Sequence, residues 1–217
     1  VEETGRNYMF LTNNSSHNSN FYVEKLAKMG LKTDRSHIMH SGEATCEKLL
    51  ELYPGKRCFV VGNEFLKADF AEYGIEIDNV NPEVVVIGFD TTLDYAKMTA
   101  VCDFVRAGLP YFATHPDFNC PTEDGFIPDS GAISAFVTAS TGVTPTYFGK
   151  PYRSTLDMIC QITGVDASDM VIFGDRLYTD IACGINAGVE TAVVFTGEAK
   201  PEDLKNTEYK PDYTFNN

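Results

Sequence analysis

Short apolar runs alternate with amphipathic stretches of helical length along almost the whole chain. Runs at Tyr8–Thr12, Cys58–Val61, Val84–Gly88, Tyr111–Thr114, Met170–Gly174 and Thr191–Phe195 predict strands. Several are continuously apolar, as expected of strands covered on both faces. Between them, helices are predicted near 19–29, 42–52, 63–73, 94–107, 131–141, 153–163 and 179–187. Many of these stretches stop at a glycine, which suits a left-handed C-terminal cap. The βαβα rhythm predicts an α/β fold with a largely parallel sheet. It breaks between His115 and Ala132, where HPDFNCPTEDGFIPDSGA is rich in Pro, Asp and Gly and has no helical period. An extended loop or hairpin is expected there, the kind of segment that carries recognition residues.

Composition narrows the chemistry. The 217 residues, 43% hydrophobic and 22% charged, suit a globular chain of one domain or two modest ones. No apolar run reaches the roughly 18 residues of a membrane span, and Val1–Asn7 has no secretory character. A net charge of −14 disfavours nucleic acid and anionic membranes as partners. A bound anion must therefore be met by local positive charge from a lysine, a helix N-terminus or a metal. The six cysteines, at 46, 58, 102, 120, 160 and 183, form no close C-x-x-C pair. Zinc is disfavoured, and reduced thiols in a cytoplasmic protein are expected.

Three polar clusters lie at predicted strand ends, where open α/β sheets bind ligands. In FLTNNSS, residues 10–16, Thr12, Asn13, Asn14, Ser15 and Ser16 follow an apolar strand. They suit either the oxygens of a phosphate or an ordinary helix cap and turn. In FGKP, residues 148–151, Lys150 precedes Pro151, a natural first residue of a helix whose N-terminus would favour an anion; a surface lysine is the alternative. In FGDRLYTD, residues 173–180, Asp175 and Asp180 suit a hard divalent ion such as Mg²⁺, or a turn and a first helical turn.

The order of these clusters, with GFD at 88–90, THPDFNCPTEDG at 114–125, GAISA at 131–135 and FGDRLYTDIACGINAGVETAVVFTGE at 173–198, resembles the haloacid-dehalogenase superfamily. Within it, the chain is similar to the NagD-like branch with a large α/β cap. The resemblance covers almost the whole chain. It implies a Rossmann-like α/β core at 1–41 and 146–217 with an inserted α/β cap at 42–145. It also implies a Mg²⁺-dependent phosphatase acting on small phosphorylated metabolites: sugar phosphates, nucleoside monophosphates and p-nitrophenyl phosphate. Thr12 then resembles the hydroxyl that binds the transferring phosphoryl group, with Asn13 and Asn14 beside it, and Lys150 the lysine that stabilises negative charge. Asp175 resembles the Mg²⁺ ligand and Asp180 its acidic partner. His115, Asp117, Glu123 and Asp124 become candidate substrate contacts from the cap, with solvation of a hairpin as the alternative. A homodimer through the cap is a further implication.

One departure stands out. The family's nucleophile lies in an Asp-x-Asp motif on a strand before the Thr12 motif, and no such motif precedes FLTNNSS; Asp166 and Asp169 have the wrong spacing. The resemblance therefore implies an aspartyl-phosphate mechanism whose nucleophile lies in a longer protein, with the chain alone inactive. A non-catalytic phosphate-binding module is the alternative. A receiver-like domain is disfavoured by the long interval between Asn13 and Lys150, and a dinucleotide fold by the lack of a G-x-G-x-x-G motif.

Overall fold

A computed structural model describes residues 4–217. These residues form two compact units that divide between Phe148 and Gly149. In the first, β1 (Phe10–Thr12) pairs in parallel with β2 (Ile38–His40), with α1 (Ser19–Lys28) between them. Beyond β2, α2 (Ser41–Leu52), β3 (Cys58–Val61), α3 (Glu64–Glu72), β4 (Val84–Ile87), α4 (Tyr95–Arg106) and β5 (Tyr111–Ala113) follow the expected alternation. The region that breaks the rhythm is an antiparallel hairpin, β6 (Asn119–Thr122) and β7 (Gly125–Pro128), leading into α5 (Ser130–Thr141) and β8 (Thr146–Tyr147).

Strands β3, β4, β5 and β8 make a four-stranded parallel sheet in that order. The two-residue period of a strand sorts its side chains onto two faces. Phe59, Val61, Val85, Ile87, Tyr111 and Ala113 pack with Met98, Val101, Cys102 and Val105 of α4 and Ile133 and Val137 of α5. Cys58, Val60, Val84, Val86 and Phe112 pack with Cys46 and Leu49 of α2 and Leu66 and Phe70 of α3. Helices on both faces explain why these strands read as unbroken apolar runs.

The second unit contains α6 (Ser154–Thr163), β9 (Val171–Gly174), a π turn (Leu177–Ile181), α7 (Ala182–Ala187), β10 (Glu190–Val194) and β11 (Tyr213–Phe215). Its sheet is parallel, in the order β9-β10-β11, over a core of Leu177, Ile181, Val193 and Ala199. Helix α6 opens at Ser154, so the expectation that Pro151 begins it does not hold. Residues 149–153 make a turn instead, closed by the Tyr152 N–H on the Gly149 carbonyl at 3.1 Å. All six cysteines are free thiols. Among the described residues, no helix is long and apolar enough to cross a membrane.

Candidate active site

Strand β1 delivers Thr12 to its carboxyl end, and the next four residues fold back through short polar bonds. The Asn14 N–H donates to Thr12 Oγ1 at 3.2 Å, and the Tyr22 hydroxyl donates to the Asn14 carbonyl at 3.4 Å. Burial pushes that phenol up to about 12, with the nearby Thr12 hydroxyl opposing the rise. The N–H and hydroxyl of Ser16 both reach Asn14 Oδ1 at 2.8 Å, an Asx turn.

Residues just beyond four strand ends hold this loop. The Ser41 hydroxyl, after β2, donates to the Asn13 carbonyl. The Asn63 amide, after β3, donates to the Ser16 carbonyl at 2.9 Å. The Phe89 N–H, after β4, donates to Ser15 Oγ at 2.9 Å. The Thr114 hydroxyl, after β5, pairs with Ser15 Oγ at 3.1 Å. Gly88 lets the chains approach this closely, because a Cβ there would overlap Leu66 and come within 3.1 Å of Ser15 Oγ. The result is a rigid polar loop gathered at the carboxyl ends of parallel strands, where ligands bind in such folds.

The hairpin joins the same loop from its base. Asn13 Nδ2 donates to Asp117 Oδ2 at 3.0 Å, and Asn14 Nδ2 lies 3.8 Å from Cys120 Sγ. His115 is fully buried, with Nδ1 3.6 Å from Asp117 Oδ2 and Nε2 3.3 Å from Asp129 Oδ1. Asp129 in turn caps α5, accepting the Ser130 N–H at 2.6 Å. Thus Thr12, Asn13, Asn14, His115 and Asp117 are brought together, whereas Glu123 and Asp124 sit exposed at the hairpin turn. Full burial between two carboxylates leaves His115 no open surface for a substrate.

In the second unit Lys150 Nζ donates to Asp180 Oδ1 at 2.6 Å, and both side chains are about nine-tenths buried. Asp180 Oδ2 accepts the Arg176 N–H at 3.2 Å. Gly174 makes room, since a Cβ there would overlap the Asp180 side chain. Asp175 follows β9 directly. Its Oδ2 accepts the Glu198 N–H at 2.8 Å, and its carbonyl accepts the Ala199 N–H at 2.9 Å.

Fit to Mg²⁺ separates the two aspartates. Asp175 is half-buried at a strand end, and its Oδ1 accepts no hydrogen bond among the described residues. One hard oxygen of this kind suits Mg²⁺, which binds through one or two carboxylates and keeps several waters. Both oxygens of Asp180 accept a hydrogen bond, one from Lys150 and one from the Arg176 N–H, so Asp180 is the ion-pair partner of Lys150. No group of three His, Cys, Asp or Glu side chains converges as a metal site among the described residues.

Sequence reasoning did not single out Asp129, Ser41, Asn63 or Tyr22. Asp129 carried a usable signal, an Asp followed by Ser-Gly before the apolar period of α5, as helix N-caps show. Ser41 and Asn63 also stand at helix starts, where capping explains them equally well. Tyr22 had no signal beyond its place in α1.

Comparisons with known proteins bear directly on this arrangement. Residues 1–76 match the family described as haloacid dehalogenase-like hydrolase, and residues 147–217 match one described as HAD-hydrolase-like. The chain is 30% identical to the 5'-nucleotidase YutF of Bacillus subtilis over 213 residues, 98% of this chain and 83% of that protein. It is 35% identical to an acid sugar phosphatase of Staphylococcus aureus over 209 residues, 96% of this chain and 81% of that protein. A 4-nitrophenylphosphatase from Thermotoga maritima superposes with a TM-score of 0.96 at 44% identity, covering 100% of this chain and 83% of that one. With the polar loop after β1, the buried Lys150–Asp180 pair and Asp175 at the end of β9, these matches place the chain among the haloacid-dehalogenase-like hydrolases, in their NagD-like branch.

Proposed function

We propose that this phosphoric monoester hydrolase is Mg²⁺-dependent and acts on small phosphorylated metabolites, sugar phosphates and nucleoside monophosphates among them, through an aspartyl-phosphate intermediate. The buried Lys150–Asp180 pair carries the reading. Taking an ammonium out of water is costly even when it is paired, and the return on that cost in a phosphatase is a fixed positive charge for an anionic phosphoryl group. The relatives' activities, on nucleotides, sugar phosphates and 4-nitrophenyl phosphate, point to the same substrate class.

In this scheme Thr12 and the turn behind it hold the phosphoryl oxygens, and Lys150 balances their charge. Asp175 holds Mg²⁺, which when bound neutralises charge on the transferring group. A carboxylate attacks phosphorus as the ester oxygen leaves with a proton from a neighbouring acid, and water then hydrolyses the acyl phosphate. No Asp-x-Asp occurs within residues 1–217, so both carboxylates are assigned outside them. Residues 42–145 serve as the cap that shields the site, and a homodimer through that segment belongs to the same reading. Without the nucleophile the same residues would make a phosphate-binding module.

Phosphate release tests the proposal. Protein expressed from its native gene is incubated with p-nitrophenyl phosphate, sugar phosphates and nucleoside monophosphates, with Mg²⁺ or with a chelator. Release with Mg²⁺ alone is expected, and Lys150→Met should lower kcat by about a thousandfold. Residues 1–217 alone should bind inorganic phosphate without turnover. Phosphate binding by the native product with no release under any condition would contradict hydrolysis and favour the binding module.

A further inference from the structure

The structure assigns His17 a positioning role. Its Nδ1–H donates to the Ser16 hydroxyl, which in turn donates to Asn14 Oδ1, so that Asn14 offers its amide donor and not its oxygen to an anion. This rests on the reading of residues 12–16 as the loop that binds phosphate.

The direction of each hydrogen bond follows from counting protons. Asn14 Oδ1 accepts the Ser16 N–H at 2.8 Å, which fixes the orientation of the amide, since a flipped side chain would set two donors against each other. Ser16 Oγ also lies 2.8 Å from that oxygen. Two oxygens at this distance need a proton between them, and only the hydroxyl has one to give. With its single proton committed there, Ser16 Oγ can only accept from His17 Nδ1, 3.0 Å away. The proton therefore sits on Nδ1. Burial, helped by the charge of Lys25, lowers His17 from its usual range, so at pH 7 the ring is the neutral Nδ1–H tautomer. The other tautomer would turn a lone pair to Ser16 and compete with Asn14 for the one hydroxyl proton.

The ring is held for this task. It stacks on Phe21 of α1 with centroids 3.8 Å apart, and on Phe65 of α3 at 5.4 Å. Ser16 itself is buried, with its carbonyl accepting the Asn63 amide. At the far end of the chain, Asn14 Nδ2 meets Cys120 Sγ at 3.8 Å, a weak acceptor that a phosphoryl oxygen can better. The Asn14 oxygen, which would repel a phosphate, stays turned in toward Ser16. His17 acts through Ser16 and Asn14, not on the phosphoryl group itself.

Long-range ¹H–¹⁵N spectra of the native protein near pH 7 test the assignment first. The His17 ring should show a protonated Nδ1 and a lone pair on Nε2; the reverse pattern would overturn the proposal. Affinity for inorganic phosphate, measured by calorimetry, tests the consequence. His17→Phe keeps the stacking ring but removes the donor, and Ser16→Ala removes the middle of the chain. Each should lower affinity about three- to tenfold, the worth of one neutral hydrogen bond. The double variant should bind no worse than Ser16→Ala, because both changes break the same chain. His17→Asn sets an amide donor near the place of Nδ1 and should bind more tightly than His17→Phe. Native affinity in folded His17→Phe would overturn the proposal, as would losses that add in the double variant or an asparagine no better than phenylalanine. If His17→Phe does not fold, the native spectrum and Ser16→Ala carry the test. If the native protein binds no phosphate, the reading of the loop fails, while the ring spectrum still decides whether His17 donates to Ser16.

Discussion

The first unit buries two histidine side chains completely, each beside two carboxylates, and they differ in what the second ring nitrogen meets. His40 ends β2 and caps α2. Its Nδ1 accepts the Gly42 N–H at 3.2 Å, which puts the ring proton on Nε2, 3.5 Å from Asp69 Oδ2 and 3.7 Å from Glu43 Oε1. Burial, helped by the charge of Arg35, lowers His40 to about 4. Burial, helped by Glu43 and Glu72, raises Asp69 to about 7. Desolvation thus drives both partners toward their uncharged forms, as befits a packing junction between α2 and α3. His115 has a carboxylate facing each nitrogen, and one of those, Asp117, accepts the Asn13 side-chain amide of the loop after β1. Equal burial therefore serves two purposes, and the wiring beyond the ring tells them apart.

Alanine at each site should separate the regions most. His40→Ala opens a cavity beside Glu43 and Asp69 and should cost about 2–5 kcal/mol in denaturant unfolding, with phosphate affinity of the folded protein within threefold of native. His115→Ala should cost a similar amount of stability and also at least tenfold in phosphate affinity. Equal binding effects at the two sites would erase the distinction.

The next largest effect is pH dependence around His40. Between about pH 4 and 6.5 the unfolded chain keeps a proton on His40 that the folded protein has released, so this group alone makes stability rise with pH. Between about pH 3.8 and 7 the folded protein keeps a proton on Asp69 that the unfolded chain has released, so this group alone makes stability fall. The two slopes oppose each other in the native protein. Asp69→Asn should unmask the rise and His40→Leu the fall, each by up to about 1.4 kcal/mol per pH unit, read from urea unfolding at several pH values. Parallel curves for both variants would contradict the pairing.

Two glycines sharpen the contrast further. A Cβ at Gly131 would collide with the backbone of Pro116 and Asp117, whereas one at Gly42 would come within 2.9 Å of the side chains of His40 and Leu66. Backbone yields less readily than side chains, so Gly131→Ala should cost about 1–3 kcal/mol and loosen the hairpin base. Gly42→Ala should cost less, because the side chains of His40 and Leu66 can give way, while the roughly 1 kcal/mol of helix propensity that alanine regains is common to both sites. The smallest effect is Ser41→Ala, which removes one hydrogen bond to the Asn13 carbonyl and should cost about 0.5–1.5 kcal/mol. Thermal unfolding of the three variants checks the order.

The sheet of the first unit was legible because burial on both faces writes unbroken apolar runs, as in Val84–Ile87 between Leu66 and Val101. Strand β2 was harder to read because three residues carry little periodic signal. Thr12, Lys150 and Asp175 stood out because polar residues directly after apolar strands are conspicuous. The roles of His115 and Asp180 were not legible in the same way. A histidine in a Pro- and Asp-rich segment reads as exposed, and only the fold shows it buried between Asp117 and Asp129. Likewise, an acidic residue five positions after Asp175 reads as its acidic partner, and only the fold shows its oxygens meeting Lys150 and the Arg176 N–H.

Titrating inorganic phosphate into the ¹⁵N-labelled protein tests the central claim most directly. Saturable shifts of the backbone amides from Thr12 to Ser16 and of the Asn13 side chain are the expected result. Saturable binding that leaves residues 12–16 unmoved and shifts other amides would contradict it.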